Sequence, residues 1–213
     1  MTTFRLTALL SLAVGFAAVA PAAPPDPLML VPPDAAVFVH ADIAAVYDSK
    51  LGDAVKNTKS AELKEKLADI TKEIGLTLAD IKTITFVIPR VKEQQDLTRG
   101  FTVVTTRRPY DRAKLLAKMK DDAARAKDEY SEKNHVVRVK SGRIPDRVQV
   151  TDLRDTSRLV ILNGVSEEFL TPPATAAAGV HADAFKQAGK SAVVVGLNFD
   201  ALPDELRGDN LTA

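Results

Sequence analysis

The chain has no cysteine, so whatever it folds into is held by side-chain packing and hydrogen bonds alone. The same absence removes thiol nucleophiles, thiolate zinc sites and iron–sulfur ligation together. Its architecture therefore has to be read from the spacing of apolar residues and from the residues that punctuate it.

The first thirty residues stand apart. Arg5 precedes an apolar run from Leu6 to Ala20, and "PAAPPDP" follows. A basic start, an apolar middle and a small-residue exit make a secretory signal peptide, with cleavage after Ala22. The run is shorter than the roughly 20 residues of a spanning helix, and an uncleaved N-terminal anchor is the alternative. The expected division is a signal peptide over 1–22, a proline-rich tether over 23–33 and a single α+β domain over 34–213. About 190 residues then remain, enough for a real core. The chain carries 29 basic and 28 acidic residues, and removing Arg5 with the leader leaves 28 of each. A neutral chain without tryptophan has no bulk attraction to nucleic acid or to an anionic membrane. The expected location is therefore periplasmic or extracellular, with no membrane span once the leader is gone.

Along the rest of the chain, "AAVFVHA" (35–41) reads as a buried strand, and Asp42 stands where the N-cap of a following helix belongs. Tyr47, Leu51 and Val55 give that helix one inward stripe. A second helix is expected after Ser60, with Leu63, Leu67, Ile70 and Ile74 on one side and Gly75 as its stop. "IKTITFVIP" (81–89) and "FTVVTTR" (101–107) read as an antiparallel pair across a polar loop. A third helix follows Pro109, with Leu116, Met119, Ala123 and Ala126 inward. Segments 135–140, 147–153 and 158–164 read as a three-strand meander. A proline-rich loop (171–179), a short helix near 184–188 and a strand over 191–199 follow, with Asp200 starting a last helix. This order lacks the strict alternation of a doubly wound sheet. It predicts an α+β fold with a mainly antiparallel sheet and helices packed on one face.

The closing "VVVGLNFD" repeats the opening "VFVHAD" in pattern: a strand before an aspartate. Residues 191–213 therefore read either as the opening of a second, incomplete unit or as a strand added to the first sheet.

Two constellations bear on chemistry. In His40-x-Asp42 a strand would point both donors the same way, His181-x-Asp183 could complete a set of four ligands, and such a set suits a metal-dependent hydrolase. The simpler reading has Asp42 and Asp183 cap helices, with the histidines incidental. The basic residues Arg107, Arg108, Arg138, Lys140, Arg143 and Arg147 would bind a polyanion if they met on one sheet edge, though stacking aromatics are missing beside them apart from Tyr110. "QAGKS" (187–191) fails as a phosphate loop, because Ala184 stands where the pattern needs glycine and a strand follows. No serine has the G-x-S-x-G frame. The acidic pairs Asp121-Asp122, Glu167-Glu168 and Asp204-Glu205 lie in polar segments unsuited to carboxylate catalysis. No catalytic residue and no cofactor is predicted.

The leader followed by "VPPDAAVFVHAD", the segment "GLTLADIKTITFVIP" and the strand–helix "GFTVVTTRRPYDRAKLLAKM" together resemble exported bacterial proteins of a planctomycete-type family that open with Pro-x-Asp-Ala and a buried strand. "ADAFKQAGKSAVVVGLNFDAL" is similar to the start of their second half. The resemblance implies an exported, α+β envelope component; the family has no established catalytic residues to transfer. With the sequence it leads to an exported non-catalytic binding or structural protein of the cell envelope, whose partner is unknown and is expected to be another envelope protein. A metal-dependent hydrolase and a polyanion-binding module are the alternatives.

Overall fold

The structure, a computed structural model, describes residues 27–50, 52–53, 76–144, 147–171, 179–188, 190–203 and 207. The leader, the helix expected after Ser60, Leu51 and Val55 lie outside the described residues, as does Gly189 of "QAGKS". The described elements are β1 (Val37–Asp42), α1 (Ile43–Tyr47), β2 (Ile81–Ile88), β3 (Gly100–Thr106), α2 (Arg112–Ala126), β4 (Glu129–Lys133), β5 (Val136–Lys140), β6 (Val148–Asp152), β7 (Arg158–Asn163), α3 (Ala182–Ala188) and β8 (Val193–Leu197).

All eight strands join one antiparallel sheet in the order β4-β5-β6-β7-β3-β2-β1-β8. The expected α+β class with a mainly antiparallel sheet is what the chain adopts. β8 pairs with β1, Val195 opposite Val39, so the closing strand extends the first sheet.

Because side chains alternate along a strand, each strand feeds both faces. On one face Val104, Leu159 and Val137 form a core with Leu115 of α2, and Met119 and Ile43 pack against it. On the other face Phe38, Val87, Phe101, Val103, Val160 and Leu162 form the larger core. The long helix α2 lies on the first face and the short α3 on the second. The helices are thus not confined to one face as expected, because the alternating strands leave both faces apolar. The second is closed by Leu28 and Leu30 of a 3-10 turn (Pro27–Leu30), by Phe169 and by Phe185 of α3. The stretch read as a tether is thus part of the packed body from Pro27 onward: Leu30 and Val31 are buried.

Three local readings differ from expectation. No strand is expected over 129–133, yet Glu129–Lys133 forms the edge strand β4. Asn134 and His135, both at positive φ (51° and 62°), turn it tightly into β5, the backbone of a two-residue hairpin. In α2 the most buried leucine is Leu115 rather than Leu116. After β8, Asn198 caps a 3-10 turn over Phe199–Ala201 by accepting from the Asp200 amide, so Asp200 is inside the turn it was expected to cap.

Candidate functional site

Asp42 ends β1 and accepts from the Ala45 amide at 2.8 Å, the expected N-cap of α1. His40 is buried beside it in sequence, with Nδ1 2.8 Å from the Thr85 hydroxyl on β2. His181 is buried as well. Its Nε2 donates to the Ala35 carbonyl at 2.8 Å, and its ring meets Phe38 edge-on at 5.1 Å. The histidines are therefore core members, not incidental surface residues. Asp183 does not cap α3. It lies in the first turn, 94% exposed and ion-paired with Lys186 at 2.9 Å, while the His181 carbonyl accepts the Phe185 amide. With one carboxylate in water and each histidine bonded to protein, the four residues do not converge. Among the described residues no group of three or more His, Asp and Glu side chains has the geometry to hold a metal ion.

The six basic residues are also dispersed. Register places Arg158 beside Thr105 at one end of the sheet, and Asn163 beside Gly100 and Gln149 at the other. Arg107 and Arg108 leave β3 at the first end. Lys140, which pairs with Val148, turns toward Arg143 and Arg147 at the second, roughly 17 Å away along the strands. Arg107 is committed to packing: it pairs with Asp48 at 3.0 Å, donates to the Ala44 carbonyl and lies 5.8 Å over the Tyr47 ring. Arg138 makes a two-pronged pair with Glu167 at 2.7 and 2.6 Å. Two of the six thus fasten elements together, and no single basic edge forms among the described residues.

A cleft of about 530 Å³ opens between the start of α2 and the loop before β2, lined by Asp80, Arg108, Tyr110, Asp111, Lys114 and Lys118 among others. Its acids are occupied. Asp111 caps α2 through the Lys114 amide at 3.0 Å. The Thr77 hydroxyl and amide hold Asp80 below the usual carboxylate value against the pull of partial burial. Burial pushes the Tyr110 phenol well above its ordinary value, and its hydroxyl donates to the Asp155 carbonyl at 2.7 Å. The cleft offers charge but no nucleophile held by a base.

The feature that sequence reading passed over is the far edge of the sheet. The Asn198 amide donates to the Ala36 carbonyl and the Asp42 amide donates to the Ala192 carbonyl, both at 2.8 Å. Even-numbered positions therefore turn their backbone groups toward β1, and Val193, Val195 and Leu197 turn theirs outward. Among the described residues no strand lies beyond β8. The same three side chains stand on the face away from Phe38, 54, 54 and 57% exposed, and Phe199 follows at 61%. Register aligns them with β1 and β2 into rows: Val193–Ala41–Ile84, Val195–Val39–Phe86 and Leu197–Val37–Ile88. Phe86 is itself 39% exposed. Nine apolar side chains in three rows contain no charge. The opposite edge strand reads Glu-Tyr-Ser-Glu-Lys, the usual charged guard of a sheet edge. The signal was present in "SAVVVGLNF", a β-branched run without a charged residue, but nothing in it told an edge from a centre.

No protein-family model matches the chain, and no curated protein does. Among solved structures, three crystal forms of TP0453 share its general shape. Form I aligns with a TM-score of 0.43 at 13% identity, covering 82% of this chain and 63% of that one. Form III gives 0.43 at 14% over 80% and 62%, and form IV gives 0.44 at 13% over 80% and 63%. The chain spans less than two thirds of that protein's length, and the likeness is one of shape alone. Among the described residues no helix is long and apolar enough to cross a membrane.

Proposed function

We propose that this chain is an exported, non-catalytic binding component of the cell envelope, and that β8 with its apolar rows is the surface it binds with. The observation that carries this reading is the β8 edge, uncharged and without a further strand among the described residues, with its row of valine and leucine side chains more than half in water. Contiguous exposed apolar surface on a soluble body marks an interaction site, and a strand edge supplies main-chain hydrogen bonds to an incoming strand. The signal-like leader and the resemblance to exported bacterial proteins support placement outside the cytoplasm. The commitment of Asp42, Asp80, Asp111 and both buried histidines to structural bonds supports binding over hydrolysis.

The test is a photo-crosslinking residue placed at position 195 in living cells, with position 131 on β4 as the comparison. Adducts in the exported fraction are expected from position 195, and Val193→Lys in the same chain should reduce them several-fold. Equal labelling from both positions, or recovery of the chain in the cytoplasmic fraction alone, overturns the reading.

A further inference from the structure

We propose that the partner seated on β8 is a second copy of this chain, joined edge to edge by antiparallel pairing of the two β8 strands about Val195. The proposal rests on the reading of β8 as the binding surface and adds what binds there.

Self-pairing suits this strand in three ways. First, the outward backbone groups belong to Val193, Val195 and Leu197, which are symmetric about Val195. A two-fold axis through Val195 sets Val193 of each copy against Leu197 of the other, and every outward N–H and C=O finds a partner. Their side chains all stand on one face, so the two exposed rows close on each other as cross-strand pairs.

Second, the ends are complementary. Antiparallel pairing also brings Lys190, which precedes β8, to the end of the interface where Asp200 of the second copy follows its own β8, and this meeting of opposite charges occurs twice by symmetry. Both residues are exposed. The strand between them carries no charge, so two copies meet without like-charge repulsion, whereas β4 presents Glu129, Glu132 and Lys133.

Third, the pairing terminates. A joined sheet of two copies exposes only the charged β4 strand at either end, so a closed dimer forms and a fibre does not. Five residues per strand and a few apolar side chains make a small interface compared with stable dimers, which places the dissociation constant in the micromolar range.

Sedimentation velocity of the full chain, from low micromolar to several hundred micromolar, is the experiment. The parent is expected to pass from monomer to dimer with concentration. Val195→Lys sets two ammonium groups side by side on the axis and should raise the dissociation constant by about tenfold or more; circular dichroism checks that it folds. Lys190→Asp and Asp200→Lys should each weaken self-association, because each sets like charges together. Mixed one to one, the two variants should associate again. In the mixed dimer one contact joins the introduced carboxylate to the introduced ammonium, and the other keeps the original pairing of Lys190 with Asp200. A parent that stays monomeric throughout overturns the proposal, as does a mixture that fails to recover association. If the parent is monomeric while position 195 still labels another exported protein in cells, the second copy is excluded and the binding reading stands. If both fail, both fall.

Discussion

Asp152 is the clearest electrostatic commitment in the molecule. Burial raises its carboxyl pKa, but the Arg154 guanidinium, donating at 2.6 to 3.0 Å, and the Arg154 amide at 3.0 Å outweigh that and hold it below 3.8. A carboxylate whose pKa is lower folded than unfolded adds stability above its unfolded value, and that stability is lost as pH falls through the folded value. Asp152→Asn should therefore cost about 1 kcal/mol at neutral pH, a figure kept modest because Arg154 is half in water. The difference from the parent should close below pH 3.8 in urea titrations. Gly196 makes a steric prediction. A Cβ there would sit 2.1 Å from the Phe38 ring and 2.8 Å from His181 Nδ1. With Phe38 fully buried, Gly196→Ala should cost at least about 2 kcal/mol by thermal melting. Residue identity alone suggested that His40 and His181 were ligands or bystanders. Their actual work, bonding Thr85 and the Ala35 carbonyl inside a core, depends on strand register and on chain 146 positions away, which local spacing does not encode.

At the scale of elements, local chemistry was readable where a capping residue met a periodic run. Asp42 starts its helix as the expected side-chain acceptor, and the helix expected after Pro109 is started in the same way by Asp111. Asp111→Ala removes the side-chain cap of the fifteen-residue α2 and should lower stability by about 1 kcal/mol, while Asp111→Asn should recover most of it, as urea midpoints would show. Strands β1, β2, β3, β5, β6 and β7 were legible within a residue or two, because β-branched runs between turn residues have few other uses. β4 was not. Glu-Tyr-Ser-Glu-Lys is too polar to read as a strand, and only its hairpin partner, reached through Asn134 and His135, makes it one. The location of the candidate site was hidden for a related reason. An uncharged strand is what a buried centre needs, so "SAVVVGLNF" predicts burial, and topology alone puts β8 at an edge.

For the molecule as a whole, one sheet serves two cores, and this decides how it unfolds. Val160 and Leu162 feed one core while Leu159 and Ile161, their neighbours on β7, feed the other. The same alternation runs through β3, where Phe101 and Val103 point one way and Val104 the other. Neither core can be lost while the other keeps its strands, because every strand that leaves one layer strips the other. Phe101→Ala and Leu159→Ala empty fully buried positions on opposite faces and should cost about 3–5 and 2–5 kcal/mol respectively. Both should move one shared transition. Far-ultraviolet circular dichroism, which follows the sheet, and tyrosine fluorescence, which follows the α2 side through Tyr110 and Tyr130, should therefore keep a common midpoint in each variant. Separate midpoints, with Phe101→Ala shifting the first signal and leaving the second in place, would mean that the layers unfold independently and that the sheet does not couple them.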